Sequence, residues 1–465
     1  MFIARWYKTI FLIALLLVSL SLIPNSSPGS DPGAAGGLPA KLDAYLRPFV
    51  ETENFSGVVF VVRNDSVLYQ KGFGMANYEF GIPNAPDTRF HVASISKAFT
   101  AAAVLLLEER GKLSVSDSVS RFFPDYPGGG RIRVEDLLKH TSGIPNVNTF
   151  PEYARESLVP HTTAEVVGLF KDKPLDFQPG SRSRYSNSDY NLLALLIEKI
   201  SGQTYGDFLN TNIFKPLGLA STFHDGDATK VIPRSASGTE PDGLRGIKHS
   251  PYLDWSIKVG NGSLVSTAGD LCRFARALFG RNLLGAESLA RIMPSGPAFP
   301  YGWTSSERSG RNFKTAAGRS PGFVSSLEYC QDDGSCIAIL SNSYSSVAQV
   351  IAPDISAIVH GQSPETVPVA FVPPGAGGLA PFKGRYLMPD NYFVPGATVK
   401  LIDRGEYLEG DWSGGDTTII YPAGGDHFVD RTYWAYMRFT HDTHGDLTGF
   451  VYRLTQDFTA KKVAE

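Results

Sequence analysis

The sequence is poor in cysteine, in long hydrophobic runs and in concentrated charge, and each shortage excludes something. Three cysteines in 465 residues cannot supply the disulfide framework of a small secreted scaffold. Beyond one run near the start, no stretch is long and apolar enough to span a membrane. Lysine and arginine number 43 against 46 aspartates and glutamates, a net charge of −3, with no basic block to track a phosphate backbone. Nucleic acid is not an expected partner. What the chain does have is material for a large core, 42% hydrophobic residues, over a length that suits two or three domains.

The one apolar run is IFLIALLLVSLSLI, residues 10–23, preceded by Arg5 and Lys8 and followed by polar NSSPGS. That order reads as a secretory signal, so residues 1–30 are expected to be a signal peptide or, since no small-x-small cleavage site follows directly, an uncleaved N-terminal anchor. The expected location is secreted or periplasmic, with the membrane touched only through this segment. In an exported chain Cys330 and Cys336, flanking the turn QDDGS, can form a bridge; two free thiols on neighbouring strands fit the spacing equally. Cys272 reads as a small buried hydrophobe.

A Gly/Pro/Ala stretch separates the N-terminal run from KLDAYLRPFVE, a short helix, and from VVFVV and VLYQKGF, a β-hairpin around RNDS. From Ser94 the sequence SISKAFTAAAVLLLEERG is apolar on nearly every face, as in a helix at the centre of a domain. Residues 112–290 are mostly helix and loop, and strands return at FVSSLEY and CIAILSN before a last helix near AQVIAPDISAIVHG. The economical reading is an α/β domain over residues 38–361, its antiparallel sheet assembled from both ends with a helical lobe between. Residues 362–381 read as a Pro/Gly linker, and residues 382–465, with short aromatic and β-branched runs, as a small all-β barrel or sandwich.

Residues 318–322, GRSPG, satisfy G-x-S-x-G, the pattern of a nucleophile elbow. An elbow needs a helix after the serine and a backbone N–H on the next residue for the oxyanion. Here the next residue is Pro321, which has no N–H, and GFVSSLEYC alternates like a strand. Ser320 is therefore expected in a turn feeding a strand.

A second constellation fits better. Ser94-Ile95-Ser96-Lys97 is the one S-x-x-K of the chain and stands where the buried helix begins. On a helix i and i+3 share a face, so the Lys97 amine can reach the Ser94 hydroxyl, and the helix N-terminus favours developing negative charge. Tyr185-Ser186-Asn187 is the one Tyr-x-Asn, in a polar loop before another helix. In an extended segment its phenol and carboxamide face the same way, the first to exchange protons with Ser94, the second to hold a substrate amide.

Taken together, FHVASISKAFTAAAVLLLEERGKL, LLKHTSGIPN, FQPGSRSRYSNSDYNLLALLIEKISG, KPLGLAST and GSLVSTAGDLCRFARALF resemble, in order and spacing, the landmarks of the serine β-lactamase-like hydrolases. That family includes class C β-lactamases, penicillin-binding DD-peptidases, D-amino-acid peptidases and related esterases, and the resemblance runs over most of residues 38–361. It implies an α/β sandwich with a helical lobe, the site between them, and hydrolysis of an ester or amide through an acyl-enzyme on Ser94. Lys97 and Tyr185 would shuttle protons, either being the base, with no cofactor and no metal. His140 belongs to a landmark loop and is expected to be structural. The spacing His441-Asp442-Thr443-His444 lacks a third ligand nearby.

The chain departs from the family at the third motif, usually Lys or His, then a small residue, then Gly. KTAAGRSPGF allows two registers. Counting back from PGF gives Ala316-Ala317-Gly318, which loses the cation and puts the second oxyanion N–H on Arg319; counting from the lysine gives Lys314-Thr315-Ala316. The first makes Gly318 and Arg319 substrate-binding residues with Asn187. It also disfavours penicillins and D-Ala-D-Ala peptides, whose carboxylate needs a cation. The competing class on this fold is a binding or sensor protein that is acylated without turnover, or is catalytically dead.

Overall fold

Leucines 42 and 46 and Phe49 line one side of the first helix, Leu38–Glu51, and pack on an antiparallel sheet whose strands alternate between two cores. The computed structural model describes residues 37–464 apart from 245, 281, 294–299, 367–370, 376, 393, 395, 414 and 455. The expected signal or anchor at residues 1–30 lies outside the described residues, as does part of the expected linker. Among the described residues no helix is long and apolar enough to cross a membrane.

The sheet has six strands in the spatial order Thr304–Arg308, Arg311–Ser320, Phe323–Cys330, Ser335–Ser341, Gly57–Arg63 and Ser66–Phe73. Strands from the two ends of this part of the chain meet at its centre, where Gly57 pairs with Ser341 and Arg63 with Ser335. Because successive side chains of a strand take opposite faces, Val58, Phe60 and Val62 enter the larger core while Val59 and Val61 enter the other. The larger core holds the helices Ser96–Glu109, Asn187–Ser201 and Ala268–Phe279; the opposite face carries Leu38–Glu51 and Val347–Val359.

The helix Ser96–Glu109 is buried from Ser96 through Leu107, as its all-round apolar sequence requires. Each large apolar side chain so buried is worth roughly 1.5–3 kcal/mol. Phe99 stacks on Phe274 with ring centroids 3.7 Å apart, which fixes the helix against Ala268–Phe279. Its start is therefore a rigid platform.

The last eight strands, from Gly384–Leu387 to Asp457–Val463, form a closed antiparallel barrel in which the first strand also pairs with the last. Closure leaves no free edge, and Tyr386, Trp412, Phe439, Phe450 and Tyr452 fill the interior. The Asp430 carboxylate accepts from the backbone N–H groups of Thr432 and Tyr433 and from the Tyr452 hydroxyl. Burial still pushes this carboxyl up to about 6. The neighbouring Arg431, 0% exposed, reaches out of the barrel: it donates to Asn54 Oδ1 at 2.7 Å, to the carbonyls of Gly243 and Gly246, and to that of Glu53. Tyr421, Val429 and Trp434 of the barrel join the core on the sheet's outer face.

Cys330 and Cys336 are both free and buried. The register explains why the bridge is not made. Tyr329, not Cys330, stands opposite Cys336, so the pleat sends the two thiols to opposite faces of the sheet. Cys336 enters the larger core beside Cys272 of the helix Ala268–Phe279.

Candidate active site

The short strand Phe90–His91 pairs with Leu264–Ser266 and delivers the chain into a 3₁₀ turn, Ala93–Ile95. Ala93 takes φ of +48°, a conformation that costs a non-glycine residue of order 1–3 kcal/mol and persists only where the surroundings impose it. Ser94 therefore sits in a short turn ahead of the α-helix, with its Oγ directed at Lys97 and Tyr185.

Three side chains converge there. Lys97 Nζ donates to Ser94 Oγ at 3.0 Å, the reach that the i,i+3 spacing permits. The Tyr185 hydroxyl lies 2.8 Å from the same oxygen. Lys97 also donates to Asn187 Oδ1 at 2.8 Å and to the carbonyl of Asn261 at 2.9 Å. Those two carbonyl acceptors claim two N–H groups, so in the neutral amine the remaining lone pair points at Ser94 Oγ. Asn187 opens the helix Asn187–Ser201, and its Nδ2 donates to Asn148 Oδ1 at 2.9 Å, leaving a second amide hydrogen for a substrate carbonyl.

The electrostatics suit proton transfer. Burial pushes the Lys97 amine well below the ordinary lysine range, and the Lys258 charge adds to the effect against the opposing pull of Asp189. The Tyr185 phenol is pushed up to about 12, burial outweighing the hydrogen bond from Ser94, although 39% of the residue is open to solvent on its outer face. One group is thus ready to accept a proton and the other to give one.

The strand Arg311–Ser320 comes up against Ser94 at Gly318, an approach that fits the register counted from PGF. A methyl group placed on Gly318 would lie 2.2 Å from the Val92 carbonyl oxygen and 2.9 Å from Ser94 N. Only glycine lets the strand approach the nucleophile so closely. Lys314 lies four residues back, roughly 13 Å along a strand, with its amine on Ser305 Oγ at 3.0 Å. The Lys314-Thr315-Ala316 register is therefore not the one that meets Ser94, and Ala316 stands where the family carries its cation. Ser320 closes the strand, buried, and the chain turns through Pro321 and Gly322 into Phe323–Cys330 with no helix following.

Arg319 was expected at the substrate, and its side chain goes elsewhere. The guanidinium is sandwiched between the rings of Tyr344 and Tyr433, 4.1 Å from each centroid, with Nη1 on Ser346 Oγ at 3.3 Å. Tyr433 belongs to the barrel segment, so any part Arg319 plays at the site falls to its backbone N–H. His140 has its Nδ1 2.9 Å from Asp189 Oδ2, and burial pushes its imidazole down to about 3. It is neutral and props the Tyr185 ring, 4.7 Å away.

Asn261, Asn148 and Lys258 were not singled out in the sequence. Asn261 acts through its backbone carbonyl, which leaves no mark in a sequence; Asn148 lies two residues beyond the landmark loop LLKHTSGIPN. Among the described residues one group has a metal-ligand composition: Cys330, Asp333 and His360, whose ligand atoms lie within 4.8 Å of one another. Asp333 is already ion-paired with Arg63, Nε to carboxylate 3.0 Å, and accepts from the Ser335 hydroxyl, which marks the group as a braced hairpin turn.

Known proteins share this fold and much of this sequence. The chain is 34% identical over 243 residues to a penicillin-binding protein of Bacillus subtilis (strain 168), 49% of this chain and 53% of that protein. It spans 63% of the length of another curated relative from the same species. The solved octameric penicillin-binding protein homologue from Pyrococcus abyssi superposes over 90% of this chain and 99% of its own, with a TM-score of 0.63 at 22% identity. The D-amino acid amidase from Ochrobactrum anthropi SV3 covers 68% of this chain and 96% of its own, with a TM-score of 0.59 at 25% identity. The family model described as Beta-lactamase matches residues 42–359, and the chain belongs to that family.

Proposed function

We propose that the protein hydrolyses an amide or ester through an acyl-enzyme on Ser94. Lys97 takes the hydroxyl proton as Ser94 Oγ attacks the carbonyl carbon, and the oxyanion is met by the backbone N–H groups of Ser94 and Arg319. Collapse of the tetrahedral intermediate breaks the bond to the leaving group, which receives its proton through Tyr185. Water, deprotonated by the same groups, then releases the acid and restores Ser94.

The observation that carries this reading is the Lys97 amine: buried, held by two carbonyls, and aimed at Ser94 Oγ. A solved relative whose name carries amidase activity supports amides among the substrates. With Ala316 at the cation's place on the oxyanion strand, substrates that rely on a carboxylate at that position, penicillins included, should turn over poorly. The charged, apolar and polar succession of residues 1–30 supports export.

The test is a serine-directed acylating probe, with mass spectrometry to locate the adduct on wild type and Ser94→Ala. The expected adduct is on Ser94 and is lost in the variant. An adduct on Ser320, or unchanged labelling of Ser94→Ala, overturns the mechanism.

A further inference from the structure

The Arg319 N–H belongs to the peptide unit that joins Arg319 to Gly318. In a trans peptide the C=O and the N–H point opposite ways, and the Gly318 carbonyl is held: Gln349 Nε2, from the helix Val347–Val359, donates to it at 3.0 Å and to the Ser325 carbonyl at 3.3 Å. The Arg319 N–H therefore points away from Gln349, toward the other edge of its strand. Pairing with Thr304–Arg308 along that edge ends at Thr315, so no ladder partner claims the N–H.

The side chain is held as well. Successive side chains of a strand take opposite faces; Gly318 turns its bare face to Val92 and Ser94, and Arg319 leaves by the other, between the rings of Tyr344 and Tyr433. The Tyr433 ring is itself fixed, its hydroxyl donating to Asp416 at 2.7 Å and its backbone N–H to Asp430 at 3.1 Å. The segment that supplies Tyr344, Ser346 and Gln349 is bonded to the same turn of the barrel. The Ser345 hydroxyl donates to the Arg431 carbonyl and the Ser346 N–H to the Thr432 carbonyl, both at 2.9 Å. Residues 431–433 of the barrel thus stand behind both grips on the Gly318–Arg319 peptide.

We propose that the barrel positions the oxyanion donor: Tyr433, through the Arg319 guanidinium, and Gln349, through the Gly318 carbonyl, are positioning residues that hold the Arg319 N–H on the carbonyl oxygen of the substrate. This rests on the reading above, in which Ser94 is the nucleophile and Arg319 N–H meets the oxyanion. Such donors act only at about 2.7–3.1 Å, and a misplacement of about 1 Å costs about 100-fold in rate.

The experiment follows release of 4-nitrophenol from 4-nitrophenyl butyrate by the full chain, which reports acylation whether or not turnover follows, with mass spectrometry to locate the butyryl group. The maximal rate and the half-saturating concentration are measured for wild type, Tyr433→Leu, Tyr433→Phe and Gln349→Leu, beside a thermal unfolding curve of each preparation. Both leucine variants are expected to lose about 10- to 100-fold in maximal rate with the half-saturating concentration unchanged, the pattern of an interaction made only in the transition state. Tyr433→Phe, which keeps the ring over the guanidinium, should stay within about threefold of wild type. In an Arg319→Met background Tyr433→Leu should add nothing, because its route runs through that guanidinium.

A tyrosine that only cements the barrel lowers the unfolding temperature and leaves the rate of the folded protein where it was. An unchanged maximal rate in either folded leucine variant overturns the proposal, as does a loss confined to the half-saturating concentration, a Tyr433→Phe as slow as Tyr433→Leu, or a full effect of Tyr433→Leu in Arg319→Met. If Tyr433→Leu does not fold, Gln349→Leu decides by itself. A wild type that forms no butyryl-Ser94 sinks the nucleophile first; butyryl-Ser94 formed at the same rate in wild type and variants sinks the positioning alone.

Discussion

Replacing Gly318 by alanine tests the oxyanion wall with a single methyl group. The new Cβ would meet the Val92 carbonyl oxygen at 2.2 Å, Ser325 Oγ at 2.6 Å and Ser94 N at 2.9 Å. Two of these are backbone atoms, which no rotamer change relieves, so the strand has to retreat by about 1 Å to reach ordinary contact. Overpacking of this kind costs typically about 1–3 kcal/mol, a part of the roughly 5–15 kcal/mol that holds a domain together. The variant should therefore fold. The retreat carries the Arg319 N–H with it, and oxyanion donors act only at about 2.7–3.1 Å. A misplacement of that size costs about 100-fold in rate, and loss of the donor up to about 1000-fold. The assay is the second-order rate of Ser94 acylation by the serine-directed probe, followed by mass, beside a thermal unfolding curve of the same preparation. Folded Gly318→Ala that is acylated within about threefold of the wild-type rate would refute the assignment of this strand as the oxyanion wall.

Two further outcomes follow from the ionisable groups. Activity should rise with pH as Lys97 loses its proton, well below the ordinary lysine range, and fall as the Tyr185 phenol ionises near 12; a kcat/KM profile of Tyr185→Phe should lack the falling limb and sit about 10²–10⁴-fold lower. In the barrel, Asp430 holds its proton to about 6 in the folded chain, against 3.8 ordinarily. Its contribution is thus fully present below pH 4 and is lost as pH rises through 6, about 3 kcal/mol in all; denaturant unfolding of wild type and Asp430→Asn at pH 4 and pH 7 should show that slope in the wild type only.

The parts of the fold that depend on local pattern were legible. The all-round apolar run after Ser94, the hairpin around RNDS and the alternating barrel strands each announce an environment, and the environment followed. Ser94 with Lys97, and Tyr185 with Asn187, were legible because short spacings fix their direction. The GRSPG motif was resolved by one missing N–H on Pro321. What stayed hidden depends on register and on distant backbone. The pleat of a single strand sends Gly318 to Ser94 and the Arg319 side chain to the barrel, and a shift of one residue separates Cys330 from Cys336. Asn261 contributes an oxygen that every residue possesses.

The buried guanidinium of Arg431 bears on how such a chain can be altered by recombination. A barrel that merely trailed on a linker could be exchanged or deleted as a cassette. Here deletion would strip Asn54 Oδ1 of its donor and leave the carbonyls of Gly243, Gly246 and Glu53 facing a void, while Arg319 would lose the Tyr433 ring of its sandwich. Barrel and sheet domain share buried polar contacts, so a change in one is answerable to the other.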